Sequence, residues 1–152
     1  MKSSDKDLGE AGGFLLLESE ETIAENKKLA ETVGYKSIAL SKEQRVSLVE
    51  TVSNLVIEAT TSGENNITDA TNISVCSVFS SRESETILSD ICKNINFSGA
   101  RECVKIDWMG ACGILQAGRV LENIGTRNGE STMWVLVNID REKVAVLVLK
   151  SV

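Results

Sequence analysis

One short segment combines residue types that could carry covalent chemistry. Asp107 and Cys112 flank a glycine turn that connects a predicted strand to a predicted helix. A thiolate at the N-terminus of a helix is activated as a nucleophile. The 152 residues include no histidine, so the usual general base near neutral pH is absent. The sequence therefore favours a protein that is not an enzyme.

The same turn could hold an anion. Backbone N–H groups at a helix start are unshielded by side chains at Gly110 and Gly113, which makes an anion pocket plausible. The turn is not a P-loop, since GKS or GKT is missing, and it is not a dinucleotide fingerprint, since GxGxxG is missing. The alternative is a tight strand-to-helix turn with close packing at Gly118.

The cysteines do not have the spacing of a metal site. Cys76, Cys92, Cys103 and Cys112 include no CxxC pair, and each lies within an apolar pattern. Free cysteines of this kind are usually buried. We expect four buried, reduced thiols, no metal and no cofactor.

The charge distribution argues against bulk phosphate binding. The net charge is −6, and residues 1–70 carry 7 basic and 13 acidic side chains, whereas residues 71–152 carry 9 of each. Sequence-independent nucleic-acid binding needs a positive surface, so only a local patch on the second half could serve. The basic residues available to it are Arg82, Lys105, Arg119, Arg127, Arg141 and Lys143. Each has an acidic neighbour in sequence, and the alternative is a mixed, solvated surface.

The C-terminal hairpin is the strongest architectural signal. Met133 to Ile139 and Val144 to Leu149 are almost unbroken apolar runs, joined by the charged turn 140–143. A half-buried strand alternates between apolar and polar residues, whereas a run that is apolar on both faces needs cover on both faces. The sequence therefore predicts that this hairpin lies in the interior.

Strands and helices alternate before the hairpin. The patterns predict strands at 13–18, 35–40, 67–79 and 102–108, and helices at 19–33, from 41 to about 59, at 82–95 and from 110 to Gly125. Ser41 and Gln44 fit a capping box, and Ser81 is a candidate N-cap. This order predicts an α/β fold with right-handed βαβ units. A weak internal match between the two halves is consistent with a degenerate repeat, or with the similarity that any two βαβα segments show.

Residues 73–152 resemble the Alba superfamily, especially its small sporulation stage V protein S branch. The resemblance lies in the strand order, the glycine turn Met109–Ala111 and the helix around Gln116. It implies a βαβαββ unit with a four-stranded mixed sheet, two helices on one face, dimerisation and nucleic-acid binding. It also implies contacts by Arg82, by the turn at Gly110, and by the hairpin tip with Arg141 and Lys143.

The combined expectation is a non-enzymatic, dimerising Alba-like protein. We expect a disordered tail at 1–12, a βαβα segment at 13–72 and the Alba-like domain at 73–152. We expect weak nucleic-acid binding or a regulatory role, a homodimer, and a cytoplasmic location without a membrane span. The predicted nucleic-acid-binding residues are Arg82, Gly110, Gly113, Arg119, Arg127, Arg141 and Lys143. The alternative is a protein-interaction module that binds a protein partner through its acidic N-terminal half.

Overall fold

The computed structural model describes residues 29–104, 112–126 and 130–152. The strands and helices, in chain order, are β1 (Ala30–Ala39), α1 (Lys42–Val46), α2 (Leu48–Ser62), β2 (Asn72–Ser77), α3 (Ser81–Asn94), β3 (Ala100–Cys103), α4 (Cys112–Thr126), β4 (Met133–Ile139) and β5 (Lys143–Ser151). A 3-10 turn, Ile67–Asp69, precedes β2. No helix in the described ranges has the length and apolar character needed to cross a bilayer. The α/β class expected from the sequence is confirmed.

The five strands form one mixed sheet in the order β1-β5-β4-β2-β3. Strand β2 pairs in parallel with β3 and β4. Strand β5 pairs antiparallel with β4 on one side and with β1 on the other. The hairpin β4–β5 therefore lies inside the sheet, and most of its side chains are buried. The prediction of an interior hairpin is confirmed.

Helices α2 and α3 cover one face of the sheet. Alternate residues of the strands, among them Ile73, Val75, Val137 and Val146, are fully buried against these two helices. Branched apolar side chains at every second strand position give a continuous layer for the helices to pack on. This is the larger of the two apolar cores.

Helix α4 covers the opposite face. Its residues Val120 and Ile124 pack with Trp134, Leu136 and Leu149 in a second, separate apolar cluster. The reversal of strand order explains this placement. Strand β3 lies on one side of β2 and β4 on the other, so right-handed crossovers place α3 and α4 on opposite faces. The fold has three layers, helix, sheet and helix.

Two capping boxes define helix starts. Ser41 and Gln44 form the predicted reciprocal pair at the start of α1. Helix α3 begins after Ser80, which forms a capping box with Glu83. The sequence analysis placed this cap at Ser81, one residue too late, because either serine could supply the side-chain oxygen.

Several details of the Alba layout are not what the structure shows. The sheet has five strands rather than four, and the helices α3 and α4 lie on opposite faces rather than on one. The helix predicted at 19–33 is wrong for residues 30–33, which belong to β1. The predicted strand at 13–18 and the tail at 1–12 lie outside the described residues.

Gly34 shows why the first residues of β1 were assigned to a helix, although its second half was predicted as a strand. We interpreted this glycine as the end of a helix, but it lies within β1 where the strand passes close to α2. A Cβ atom at Gly34 would lie 2.0 Å from the carbonyl oxygen of Ala59. A glycine that allows close contact between two elements looks the same in sequence as one that ends a helix.

Candidate active site at the carboxyl edge of the sheet

The connections that leave β2 and β3 diverge to opposite faces of the sheet. The chain continues from β2 into α3 on one face and from β3 towards α4 on the other. Adjacent parallel strands with diverging connections form a crevice at their carboxyl ends, and open α/β sheets bind ligands there. This edge is therefore the candidate position of a functional site.

Helix α4 begins at this edge. The side chain of Gln116, in its second turn, donates to the carbonyl oxygen of Ser74 in the middle of β2. Asn123, near its end, lines a cavity with Trp134 at the start of β4. The helix therefore runs from the carboxyl ends of the parallel strands towards their amino ends. Its first residue, Cys112, lies at the carboxyl edge.

A cysteine at the first position of a 15-residue helix is in a favourable electrostatic place for a nucleophile. The first backbone N–H groups of a helix have no partners within it, and together with the helix dipole they stabilise a negative charge. Asp107, the predicted partner of Cys112, and Gly110 lie outside the described residues, whereas Gly113 lies in the first turn of α4.

Gln116 anchors the helix that carries Cys112. Its Nε2 atom lies 2.9 Å from the carbonyl oxygen of Ser74, 3.2 Å from the hydroxyl of the same serine and 3.3 Å from the carbonyl oxygen of Val137. The residue is only 2% exposed. These contacts join α4 to both β2 and β4, so they set the position of the helix along the sheet. The sequence analysis did not identify this role, because a lone glutamine in a helix looks like a surface residue.

The polar network continues from Ser74 to the edge of the sheet. The hydroxyl of Ser74 donates to a carboxylate oxygen of Glu102 at 3.2 Å, and the other carboxylate oxygen of Glu102 lies 3.9 Å from the guanidinium of Arg119. Arg119 on α4 thus has an acidic neighbour in space. The negative charge of Glu102 offsets the positive charge that Arg119 could contribute to a basic patch.

The cysteines differ from the expected set of four reduced thiols. Cys76, fully buried on β2, is disulfide-bonded, so this expectation is wrong. Cys92 is free and buried, and burial raises the pKa of its thiol above the usual 9.0, while the charge of Arg101 acts in the opposite direction. Cys103 is not part of a disulfide and is half-buried. Cys92 is therefore a poor nucleophile near neutral pH.

The described basic residues of the predicted nucleic-acid surface lie on three different elements. Arg82 is exposed in the first turn of α3, and Arg119 lies on α4 on the other side of the sheet. Arg141 and Lys143 are exposed at the β4–β5 turn. Gly110 and Arg127 lie outside the described residues.

A cavity of about 340 Å³ opens near the same edge, on the side of α1 and α2. Phe79 follows β2 and Asp140 follows β4, and both line this cavity together with Leu40, Leu48, Arg45 and Arg141. Arg141 was named from the sequence, but the apolar residues that line the cavity with it were not. The apolar residues Leu40, Leu48 and Phe79 come from two distant parts of the chain, so local patterns could not show that they lie together.

Comparisons with known proteins give a fold and no family. No family model matches the sequence, and no curated protein matches it. The 3-oxoacyl-[acyl-carrier-protein] synthase III of Aquifex aeolicus is similar in structure, with a TM-score of 0.55 and 7% identity over 82% of this chain and 46% of that one. The acetyl-CoA acetyltransferase of Bacillus anthracis has a TM-score of 0.56 and 11% identity, and the match covers 82% of this chain and 31% of that one. A CsyB mutant complexed with CoA-SH has a TM-score of 0.59 and 10% identity, and the match covers 82% of this chain and 56% of that one.

These similarities overturn the Alba interpretation. The similar structures have the ketosynthase and thiolase type of fold, and the Alba resemblance is wrong. The expectation of a non-enzymatic nucleic-acid-binding, regulatory or interaction protein is corrected with it, since these neighbours are named as acyl-group enzymes. The assignment of the basic residues to a nucleic-acid surface loses its main basis. This chain spans about half or less of the length of these similar proteins, with which it shares the fold of its described residues.

Proposed function

We propose that this chain takes part in acyl transfer, with Cys112 as the residue that accepts the acyl group. The observation that carries the proposal is the start of α4 at Cys112, at the carboxyl edge of the sheet. The similar structures support it, because two of them are named as a 3-oxoacyl-[acyl-carrier-protein] synthase and an acetyl-CoA acetyltransferase. A third is complexed with CoA-SH, a thiol that carries acyl groups as thioesters.

The proposed step is a thioester exchange. In the reduced protein, the Cys112 thiolate attacks the carbonyl carbon of an acyl thioester, and a new bond forms between the sulfur and that carbon. The bond between the carbonyl carbon and the carrier sulfur then breaks, and the carrier leaves as a thiolate that takes a proton from water. One thioester is consumed and one is formed, so no oxidant or reductant is needed.

The absence of histidine limits this proposal to the transfer of the acyl group. A step that removes a proton from carbon needs a general base, and histidine is the side chain that most often serves near neutral pH. Thioester exchange needs only a thiolate. The start of a helix supplies that without a neighbouring base. We therefore do not extend the proposal to carbon–carbon bond formation by these 152 residues.

The test is the mass of the protein after incubation with acetyl-CoA. The protein is first reduced, because Cys76 is disulfide-bonded, and is then analysed by intact-mass and peptide mass spectrometry. We expect one acetyl group on Cys112 and none on the Cys112→Ala variant. A Cys92→Ala variant is the matched control and is expected to be acetylated like the unchanged protein, since the Cys92 thiol is buried and its pKa is raised.

Either of two results would overturn the proposal. One is the absence of an acetyl group after reduction, with hexanoyl-CoA giving the same result as acetyl-CoA. The other is acetylation at equal levels on several cysteines and lysines, which would indicate nonspecific chemistry. Circular dichroism of both variants shows whether a loss of acetylation reflects a loss of folding.

A further inference from the structure

A second cavity lies between α4 and the sheet, away from Cys112. Its volume is about 220 Å³, and the described residues that line it are Glu102, Arg119, Glu122, Asn123 and Trp134. Asn123 is 11 positions after Cys112, so the cavity lies about 16 Å along the helix axis from the proposed nucleophile. It is a separate site, and nothing in the acyl-transfer proposal uses it.

Two buried polar atoms mark this cavity as unusual. The indole Nε1 of Trp134 and the amide Oδ1 of Asn123 are both buried and have no hydrogen-bond partner among the described residues. Trp134 as a whole is only 4% exposed. Leaving a buried donor or acceptor unpaired costs about 1–3 kcal/mol, so such groups usually have a partner that binds there.

The charges around the cavity point to the chemistry of that partner. Arg119 and the Trp134 N–H are donors, which suit a carboxylate. Glu102, Glu122 and the Asn123 oxygen are acceptors, which suit an ammonium group with its three N–H donors. A cavity of this size holds several waters, since one water takes about 30 Å³ in the liquid. It can therefore hold a solute of a few heavy atoms.

We propose that this cavity binds a small zwitterion of the amino-acid type. The ligand carboxylate pairs with Arg119 and accepts from the Trp134 N–H, and its ammonium group donates to Glu102, Glu122 and the Asn123 oxygen. Arg119 is 57% exposed and its contact with Glu102 is long, at 3.9 Å. Its side chain is therefore free to turn and open the path to the two buried atoms.

The fixed partners of the site support a built arrangement. Glu102 is held in place by the hydroxyl of Ser74, which is itself contacted by Gln116. Arg119, Glu122 and Asn123 occupy positions i, i+3 and i+4 of α4, so they share one side of the helix. The charged groups of the proposed site are thus positioned by β3 and α4 rather than by a loop.

The experiment is a titration followed by tryptophan fluorescence and by calorimetry. The sequence has one other tryptophan, so a Trp108→Phe variant leaves Trp134 as the only indole. Glycine, alanine and serine are added up to about 10 mM, a range that covers millimolar dissociation constants. Acetate and methylammonium are the matched controls, because each carries only one of the two charges. We expect the zwitterions to bind at least about tenfold more tightly than either control ion.

Variants then locate the site. Arg119→Gln and Glu122→Gln are each expected to raise the dissociation constant at least about tenfold, because each removes one charge-assisted contact. Arg82→Gln and Glu58→Gln remove exposed charges from helices on the other face of the sheet and are expected to leave binding unchanged.

Three outcomes would overturn the proposal. They are no binding of any zwitterion by calorimetry on the unchanged protein, equal binding of acetate or methylammonium, and binding that survives both Arg119→Gln and Glu122→Gln. The first would indicate that water alone pairs with Trp134 and Asn123. Acetylation of Cys112 is measured separately, so a failure here is distinguishable from a failure of the acyl-transfer proposal.

Discussion

At the scale of single residues, Gln116 is the side chain on which the candidate active site most depends. It is buried and donates to acceptors on β2 and β4 from the helix that begins at Cys112. We predict that Gln116→Leu lowers the free energy of unfolding by about 1–3 kcal/mol, because buried acceptors lose their partner. Urea denaturation measures this change.

The Gln116→Leu variant also distinguishes an effect on the position of α4 from an effect on the stability of the fold. The Gln44→Leu variant is the control, since Gln44 bonds only in the exposed capping box of α1 and costs about 1 kcal/mol or less when replaced. At a urea concentration where both variants are folded, Gln116→Leu is expected to slow the acetylation of Cys112 and Gln44→Leu is not. Equal stability of Gln116→Leu and the unchanged protein would show that the three contacts contribute nothing.

The residues that matter were only partly visible in the sequence. Cys112 was named as a candidate nucleophile at a helix start, but the absence of histidine led to the prediction of a non-enzyme, because a neighbouring base was assumed to be needed. Trp134 and Asn123 line one cavity only because α4 packs against β4. The disulfide at Cys76 depends likewise on distances in the fold. No local pattern contains such distances.

At the scale of elements, the contact between β1 and α2 sets a strict limit on side-chain size. A Cβ atom at Gly34 would lie 2.0 Å from the Ala59 carbonyl oxygen, and this oxygen belongs to the backbone of a helix that cannot move alone. We predict that Gly34→Ala lowers the free energy of unfolding by about 2–3 kcal/mol, as overpacking does in other cores. Thermal and urea denaturation measure the effect.

Gly118→Ala is the matched control for this substitution. Gly118 lies in the interior of α4, and a Cβ atom there would meet nothing within 4 Å. Alanine is expected to stabilise the helix by about 0.5–1 kcal/mol relative to glycine. If the two variants had the same stability, the close approach of β1 to α2 would be contradicted.

Elements with a strong local pattern were predicted well, and those defined by distant partners were not. The hairpin and the capping box at Ser41 are properties of neighbouring residues, and the structure confirms them. The assignment of residues 30–33 failed because β1 exists through its pairing with β5, more than 100 positions later in the chain. The local helix propensity of these residues contains no information about a strand partner so far away in the chain.

At the scale of the whole molecule, the decisive feature is the strand order. A βαβαββ pattern is compatible with an Alba-like sheet and with the order seen here, since both use the same elements in the same sequence. Because β3 and β4 lie on opposite sides of β2, helix α4 crosses to the other face. That single reversal creates the crevice at the carboxyl edge and the cavity beside Trp134.

The sequence predicted a homodimer, and the sheet face on the side of α4 offers a surface where a second copy could pack. Helix α4 lies over β2 and β4 and also packs with Leu149 of β5. Tyr35 on β1 pairs in register with Leu147 on β5, and both lie on this face. Tyr35 is 55% exposed and Leu147 is only partly buried. We propose that a second copy of the chain packs on these two strands, since an exposed apolar surface on an edge strand is a common site of association.

Light scattering at increasing protein concentration tests this proposal. We expect a dimer for the unchanged chain and a monomer for Tyr35→Glu, because the substitution places an unpaired charge in the proposed contact. Asn54→Glu is the control, since it adds the same charge at an exposed position of α2, on the opposite face of the sheet, and is expected to leave the dimer intact. A monomer at every concentration would contradict the proposal, and a dimer that persists in Tyr35→Glu would move the contact away from β1.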